Sequence, residues 1–290
     1  MALSQPINDT KELALLANTI RVDVLKSLHS TGGSGHTAGP LGMADIFTVM
    51  YFHAMTHDPE KPQLEERDRL LLSNGHICPI LYTAMAHAGY FPVEELLTLR
   101  KLGSRLQGHP HREVLPGLET TSGPLGSGLS QGAGMALTAK MDGGKHNVFV
   151  MGSDGEQQEG NVWEAVMFAA KYKLNNLIQI MDRNFIQIEG DTEDVMPLEP
   201  LKEKYEAFNW NVIDIDGHNI EAIIDSINKA KIHKESPTLI IATTVPGKGV
   251  SFMEDDHTWH GKPPNDEELD IALKDLAKVR EGIENDTYDY

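Results

Sequence analysis

Side chains that could hold a cation follow two neighbouring strands predicted in the middle of the chain. Asp154 comes just after a predicted strand at 147–151, and Asn184 just after the next one, at 176–181. Parallel α/β sheets bind ligands beyond the carboxyl ends of their strands, so adjacent strands would bring these oxygen atoms together. Mg²⁺ prefers oxygen ligands and is usually completed by phosphates of the bound ligand. Taken singly, however, Asp154 and Asn184 are more often turn or helix-cap residues.

Histidines are the second chemical signal. Four of the thirteen lie in glycine-containing segments without periodicity: His36, His76, His109 and His260. Imidazole titrates near neutral pH, so such groups could donate to substrate oxygens and move protons in a sugar-type reaction. A single loop histidine is usually only solvated, but four favour a site. Zinc is the competing use, and the pair His109 and His111 lacks a cysteine or carboxylate partner at metal-ligand spacing.

A glycine-rich segment at 123–128 opens a predicted helix. Its glycines permit a ligand to approach the backbone, and the helix start offers unpaired N–H groups. Gly126, Gly128 and Gly132 read G-x-G-x-x-x-G with no preceding strand, so the dinucleotide-binding fingerprint does not match. Neither a P-loop nor an H-E-x-x-H motif is present. Alone, the segment is more often a helix-packing device than a ligand site.

The elements that must position these groups alternate along the chain. The predicted helices cover residues 13–28, 43–55, 77–88, 92–102, 128–140, 159–172, 198–208, 220–230 and 266–288. The predicted strands cover residues 69–72, 147–151, 176–181, 211–216 and 237–244. This alternation predicts an α/β fold with a mostly parallel sheet and helices on both faces. Residues 1–290 are expected to form one domain, with an irregular loop at 103–128 and a C-terminal helix at 266–288.

Composition limits the class of protein. The 290 residues are 40% hydrophobic and 23% charged, which is typical of a soluble globular chain, and no apolar run approaches the ~20 residues of a membrane helix. A net charge of −18 argues against binding to nucleic acid or to an anionic membrane. Cys78 is the only cysteine, so an intrachain disulfide is excluded, and no secretory leader is visible. These features predict a cytoplasmic protein.

Several short motifs follow one another within residues 10–265. They are Ser34-Gly35-His36, Ser73-Asn74-Gly75-His76, Gly108-His109-Pro110, Gly123-Pro124-Leu125-Gly126, Gly152-Ser153-Asp154-Gly155 with Gln158-Glu159-Gly160 and Asn184, and His260-Gly261. Together they resemble the N-terminal half of transketolase, which binds thiamine diphosphate. The resemblance implies the thiamine-diphosphate-binding fold, with thiamine diphosphate and Mg²⁺ as cofactors and Ca²⁺ or Mn²⁺ as substitutes for the metal.

The resemblance also implies roles for single residues. Asp154 and Asn184 would ligate the metal through their side chains and Ile186 through its carbonyl, while Gly155 would approach the diphosphate. Glu159 is similar to the family's coupling carboxylate at the subunit interface. The cofactor pocket would be lined by His76, Gly123, Pro124, Leu125 and His260. The bound sugar would be faced by the catalytic residues His36, His109 and His260.

Four positions depart from the family's usual residues. Ser153 replaces the first glycine of Gly-Asp-Gly, Gly33 an asparagine, Thr37 a proline and Ser127 a glutamine. None of these changes removes an expected metal ligand or histidine.

Length is the larger departure. Full transketolases continue through a second domain, which binds the pyrimidine ring and supplies the activating glutamate, and then a third, whereas this chain ends at Tyr290. The resemblance therefore predicts the N-terminal subunit of a split transketolase, active only with a separate C-terminal subunit in a two-plus-two heterotetramer. It would transfer a two-carbon ketol group from a ketose phosphate to an aldose phosphate, as in the pentose phosphate pathway.

Other functions stay open at this point. The chain could serve a deoxyxylulose-phosphate-synthase-like or a 2-oxo-acid-dehydrogenase-like reaction, although the four histidines favour sugars. It could also be a non-catalytic scaffold subunit.

Overall fold

A five-stranded parallel sheet forms the centre of the computed structural model, which describes residues 6–288. The strands are β1 (Arg69–Leu72), β2 (Val148–Ser153), β3 (Leu177–Arg183), β4 (Ile186–Gln187), β5 (Gly190–Asp191), β6 (Asn211–Asp216) and β7 (Thr238–Thr243). The order across the sheet is β1-β2-β3-β7-β6, and all four pairings are parallel. The two short strands β4 and β5 pair in a separate antiparallel hairpin, which the sequence analysis did not predict.

Helices cover both faces of this sheet, which confirms the predicted fold class. They are α1 (Thr10–His29), α2 (Ala38–Gly42), α3 (Ala44–Val49), α4 (Cys78–His87), α5 (Ser127–Met141), α6 (Gly160–Lys171), α7 (Thr192–Val195), α8 (Leu201–Ala207), α9 (Ile220–Ile232) and α10 (Asp266–Glu284). Successive strand residues point to opposite faces. Phe149 and Met151 accordingly join the core with α1, α3, α4 and α9, whereas Val148 and Val150 join the core with α5, α6 and α8.

The first helix leads the chain to the first of the candidate histidines. Asp9 caps α1, and its Oδ1 accepts hydrogen bonds from the N–H groups of Lys11 and Glu12 at 2.8 and 3.3 Å. Leu13, Ile20, Val24 and Leu28, spaced along one face of this helix, are buried in the core. After His29 the chain turns through Gly32 and Gly33, both at positive φ, and this turn brings His36 back over the sheet edge.

Three predicted helices differ from the structure. Residues 92–102 do not form one regular helix: a 3₁₀ segment, Val93–Thr98, is followed by Arg100 at φ 58°, a left-handed conformation that no helix continues through. The C-terminal helix ends at Glu284 rather than at 288, because Asp286 also lies at positive φ (55°). The segment predicted as helix at 43–55 is α3 followed by a π-helical turn, Met50–Ala54.

The long loop has no regular structure, but side chains hold it in place. Residues 99–126 contain neither helix nor strand. Leu106 and Leu115 are buried in the core, Arg67 pairs with Glu119, and the Ser122 hydroxyl donates to the Leu72 carbonyl at 2.5 Å. The loop is therefore fixed to the end of β1, beside the candidate site.

A buried ion pair fixes the start of the loop that carries His260. Arg21 donates two hydrogen bonds to the carboxylate of Asp45. Burial raises the pKa of Asp45, but the nearby Arg21 guanidinium outweighs that effect, so the pKa lies far below its ordinary value. His218 bonds the same carboxylate through Nδ1 at 2.8 Å, and its Nε2 accepts the N–H of Val245 at 2.8 Å.

Within residues 6–288 no helix has the length and apolarity to cross a membrane.

Candidate active site

The carboxyl ends of β2 and β3 lie side by side and open onto a cavity of about 240 Å³. Ser153 pairs in register with Asp182, so the chain segments that follow leave the sheet at the same edge. The sequence analysis predicted that Asp154 and Asn184 would lie close together if their strands were adjacent, and the two strands are adjacent. The predicted site residues in the cavity wall are His36, His76, Leu125, Asp154, Gly155, Glu159, Asn184, Ile186 and His260.

Asp154 is buried and firmly held. Its Oδ1 accepts the N–H of Gly155 at 2.7 Å, and its Oδ2 accepts the N–H of Phe185 at 2.8 Å and a guanidinium N–H of Arg183 at 3.1 Å. Burial raises the pKa of Asp154, and Arg183 together with the two backbone N–H groups opposes that rise. Three donors thus fix the carboxylate at the cavity wall.

Asn184 is oriented by two contacts of its own. Its Oδ1 accepts the N–H of Ile186 at 3.1 Å, and its Nδ2 donates to Asp182 at 2.8 Å. Asp182 in turn accepts a hydrogen bond from the Thr244 hydroxyl. Burial raises the pKa of Asp182 to about 7, and the nearby Asp154 adds to that rise. The amide oxygen of Asn184 is therefore fixed on the same side as the backbone of Ile186.

Three of the four candidate histidines form one cluster. The ring centroids of His36 and His76 are 5.0 Å apart, those of His76 and His260 5.2 Å, and those of His36 and His260 5.5 Å. The fourth, His109, is exposed and does not line the cavity, although its ring lies beside the backbone of Gly75. The structure thus brings three of the four candidate histidines together, and the role of His109 toward a sugar stays a prediction.

The clustered histidines are neutral at pH 7. Burial, with Coulomb repulsion from His260 and Arg100, lowers the pKa of His36 to about 4. Burial likewise lowers the pKa of His76 and of His260 below the ordinary value. A neutral imidazole both donates and accepts a hydrogen bond, which suits it to substrate oxygens and to proton movement.

Acid is expected to destabilise the protein through this cluster. The pKa of His36 is about 6.5 when unfolded and about 4 when folded, so the unfolded chain takes up the proton first, and stability is lost as the pH falls from 6.5 toward 4. Between pH 7 and pH 5 the free energy of unfolding should fall less in His36→Gln than in the wild type. The difference between the two falls should be up to about 2 kcal/mol. Urea unfolding at the two pH values measures this, and equal losses would contradict it.

The glycine segment at 123–128 contributes less to the cavity than expected. Leu125 lines the wall, whereas Gly123 and Pro124 are not among the wall residues. Gly123 has φ 154°, and its N–H lies close to Gly75 at the end of β1. The segment therefore packs on the turn after β1, as a packing device would. A cofactor-binding role for Gly123 and Pro124 stays a prediction.

Two arginines beside the site, Arg183 and Arg100, were not predicted from the sequence. The Arg183 guanidinium is 2% exposed, bonds Asp154, Glu193 and Glu199, and lies 3.9 Å from the centre of the Phe185 ring. Arg100 donates to the Ser34 hydroxyl at 3.0 Å and to the Gly108 carbonyl at 3.2 Å. The position of Arg183, next to Asn184, was a usable signal, but that of Arg100 was not.

Glu156 was missed as well, and it ties three parts of the site together. It accepts hydrogen bonds from the Ser73 hydroxyl after β1, from the N–H of Gly126 before α5 at 2.5 Å, and from the N–H of Ser153 at 3.3 Å. Burial raises the pKa of Glu156, and these donors oppose the rise. The turns after β1 and β2 and the start of α5 thus share one carboxylate.

A second, larger groove of about 1280 Å³ lies at the opposite edge of the sheet. Its wall includes Arg69 and Asn147, where β1 and β2 begin. None of the four candidate histidines lines it. The smaller cavity is therefore the candidate site, because the predicted histidines and oxygen ligands line it.

The residues in the smaller cavity fit a divalent cation and an anionic cofactor. Carboxylate, amide and carbonyl oxygens at Asp154, Asn184 and Ile186 are the donor type that Mg²⁺ prefers, with ligand phosphates completing the shell. Among residues 6–288, no three histidine, cysteine, aspartate or glutamate side chains are grouped to hold a metal unaided. The buried Nδ1 of His36 also lacks a partner in the protein, which leaves it available to a ligand.

Comparison with known proteins agrees with this geometry. Residues 13–285 match the family described as transketolase, thiamine diphosphate binding domain. The chain therefore belongs to the transketolase family, in which it corresponds to the domain that binds thiamine diphosphate.

Relatives of similar length are named as subunits. The chain is 40% identical to the 6-deoxy-6-sulfo-D-fructose transketolase subunit SqwG of Clostridium sp. (strain MSTE9), over 90% of this chain and 95% of that protein. It is also 40% identical to an apulose-4-phosphate transketolase subunit of Phocaeicola vulgatus, over 87% of this chain and 90% of that protein. The solved transketolase of Campylobacter jejuni superposes with a TM-score of 0.85 at 34% identity, over 93% of this chain and 43% of that one. The chain thus spans less than half the length of that enzyme.

Proposed function

We propose that the chain is the N-terminal subunit of a split transketolase that depends on thiamine diphosphate and Mg²⁺. It would transfer a two-carbon ketol group from a ketose phosphate to an aldose phosphate. The observation that carries the proposal is the meeting, in one cavity, of the oxygen pair of Asp154 and Asn184 with the cluster of His36, His76 and His260.

In this proposal Asp154, Asn184 and the carbonyl of Ile186 hold the cation. Gly155 presents only backbone to the cavity, so a diphosphate can approach it closely. The cation offsets the diphosphate charge in a protein whose net charge is −18. When bound, thiamine diphosphate supplies the nucleophilic carbon and the electron sink that cleavage of a ketose requires.

The histidines would handle the sugar. His36 and His260 are neutral at pH 7, so each can donate a hydrogen bond to a substrate oxygen and accept a proton. His76 would contact the cofactor from the same cluster, and His109 would reach the sugar from the exposed rim. Glu159, at the exposed edge of the cavity, would meet the partner subunit.

We also propose that activity requires a separate C-terminal subunit in a two-plus-two assembly. Support comes from relatives that are named as subunits and match this chain over nearly their whole length. Their names include a sulfofructose and apulose 4-phosphate, so the proposed substrates are phosphorylated or similarly anionic sugars. A place in the pentose phosphate pathway and a cytoplasmic location stay predictions from the sequence.

Reconstitution tests this function. The chain is mixed with candidate C-terminal subunits from the same organism, thiamine diphosphate and Mg²⁺, and supplied with xylulose 5-phosphate and an aldose phosphate or with pyruvate. Ketol transfer from the sugar by the mixture, but by neither polypeptide on its own, is the expected result. Turnover of pyruvate instead would favour the synthase-like or dehydrogenase-like alternative. Cofactor binding without turnover of either substrate would favour a scaffold.

A further inference from the structure

Asn74 is a buried amide with no partner in the protein. It lies directly after β1 and has no solvent exposure, yet it lines the cavity that contains Asp154 and the clustered histidines. Neither its Oδ1 nor its Nδ2 makes a hydrogen bond. Buried side-chain amides are almost always hydrogen-bonded, so this pair of free atoms needs an explanation.

The backbone on both sides of Asn74 is fixed by contacts of its own. Ser73 is bonded to Glu156 and accepts the N–H of Gly128 at 3.1 Å, and the Asn74 carbonyl accepts the N–H of Ile77 at 3.1 Å. Gly75 is packed so closely that a Cβ there would lie 2.7 Å from Ser122. The backbone of Asn74 is therefore held at the cavity wall by both of its neighbours.

We propose that Asn74 is a further ligand-binding residue of this site, whose Nδ2 donates a hydrogen bond to a diphosphate oxygen of the bound cofactor. This inference rests on the proposed function. The amide shares the cavity with Asp154 and Asn184, which would hold the cation that accompanies the diphosphate. The free Nδ2 is an uncommitted hydrogen-bond donor in this cavity, and phosphate oxygens accept hydrogen bonds from such amide groups. Oδ1 remains available to a donor on the ligand or to a water.

Asn74→Leu distinguishes a ligand-binding amide from a structural one. If the amide serves the ligand, removing two unsatisfied polar atoms leaves the melting temperature of the ligand-free protein unchanged or higher, while the Kd for Mg²⁺ with thiamine diphosphate rises about tenfold or more. A structural amide gives the opposite pattern, with a lower melting temperature and an unchanged Kd. The matched control is Asn18→Leu, because Asn18 is also buried but donates to the Leu276 carbonyl outside the cavity. It should lose stability without a change in Kd.

The probes are chosen to locate the contact. Calorimetric titrations use the full chain, by itself and with its C-terminal subunit, with Mg²⁺ plus either thiamine diphosphate or inorganic pyrophosphate. Equal weakening of both by Asn74→Leu supports the diphosphate contact, whereas weakening of thiamine diphosphate alone would overturn it. Asn74→Asp, which keeps the shape but replaces the donor with an anion, should weaken both further and serves if the leucine variant does not fold. If the wild type binds the cofactor and neither variant changes its Kd, the role of Asn74 is refuted but the proposed function is not. If the wild type does not bind the cofactor, both are refuted.

Discussion

Replacing Asp154 by alanine is expected to weaken binding of thiamine diphosphate in the presence of Mg²⁺ about 100-fold or more. Even residues that only support a metal ligand typically change affinity 10- to 100-fold, and Asp154 would be the one charged ligand in the set. The buried carboxylate also accepts the N–H groups of Gly155 and Phe185, so its loss loosens the turn at Gly155, which would approach the diphosphate in the proposed function. Calorimetric titration with and without Mg²⁺ measures the effect.

Two further variants separate the loss of charge from the loss of structure. Asp154→Asn keeps the size of the side chain and should still lose most of the Mg²⁺-dependent affinity. Asp142→Ala removes an exposed carboxylate after α5 and should bind the cofactor as the wild type does. Arg183 keeps Glu193 and Glu199 as partners in every variant, so its charge is not left unpaired. Wild-type affinity in Asp154→Ala would show that the cation site has been assigned wrongly.

His36→Ala is expected to lower kcat/KM of the reconstituted enzyme by about 100-fold or more, since positioned acid–base groups typically contribute 10² to 10⁴. His36 is neutral at pH 7 and its Nδ1 has no partner in the protein, so it is free to serve the substrate. Its loss should leave the Kd for Mg²⁺ with thiamine diphosphate within a few-fold of the wild type. Steady-state kinetics and titration on the same preparations measure both quantities.

The control for His36 is a histidine that does not line the cavity. His233 follows α9 and contacts the Ser236 hydroxyl at 2.9 Å, so His233→Ala should retain full activity. His109→Ala should have a smaller effect than His36→Ala, because His109 is exposed and outside the cavity wall. Full activity in His36→Ala would remove the cluster from the proposed reaction.

Much of the fold could be predicted because its local signals agree with its packing. All residues of β3 are buried, and its apolar residues Leu177, Ile178, Ile180 and Met181 face both sides of the sheet, as a strand covered on both faces requires. The helix predicted at 92–102 was wrong because local pattern and packing disagree there. In the structure the side chains of Leu97 and Leu102 are exposed, whereas those of Leu96 and Leu99 are buried in the core. Packing of the two buried leucines, and not the apolar periodicity of the whole segment, therefore decided its conformation.

The candidate site was only partly predictable for a related reason. Asp154 and Asn184 follow strands, and strand ends are places that a sequence pattern can locate. Arg100 and Glu156 reach the site through loop and turn contacts that no periodicity encodes. Asn74 stood within a recognised motif, but its lack of any hydrogen-bond partner is a property of the packed structure alone.

In the proposed function, Asp154 and Asn184 together bind a cation that anchors a diphosphate. Pulsed electron paramagnetic resonance with Mn²⁺ in place of Mg²⁺ tests it most directly, on the chain with thiamine diphosphate, by itself and with the proposed C-terminal subunit. The predicted result is one tightly bound Mn²⁺ with a ³¹P coupling from the diphosphate, a signal that disappears in Asp154→Ala. Bound Mn²⁺ without a phosphorus coupling, or a coupling that survives the loss of Asp154, would contradict the claim.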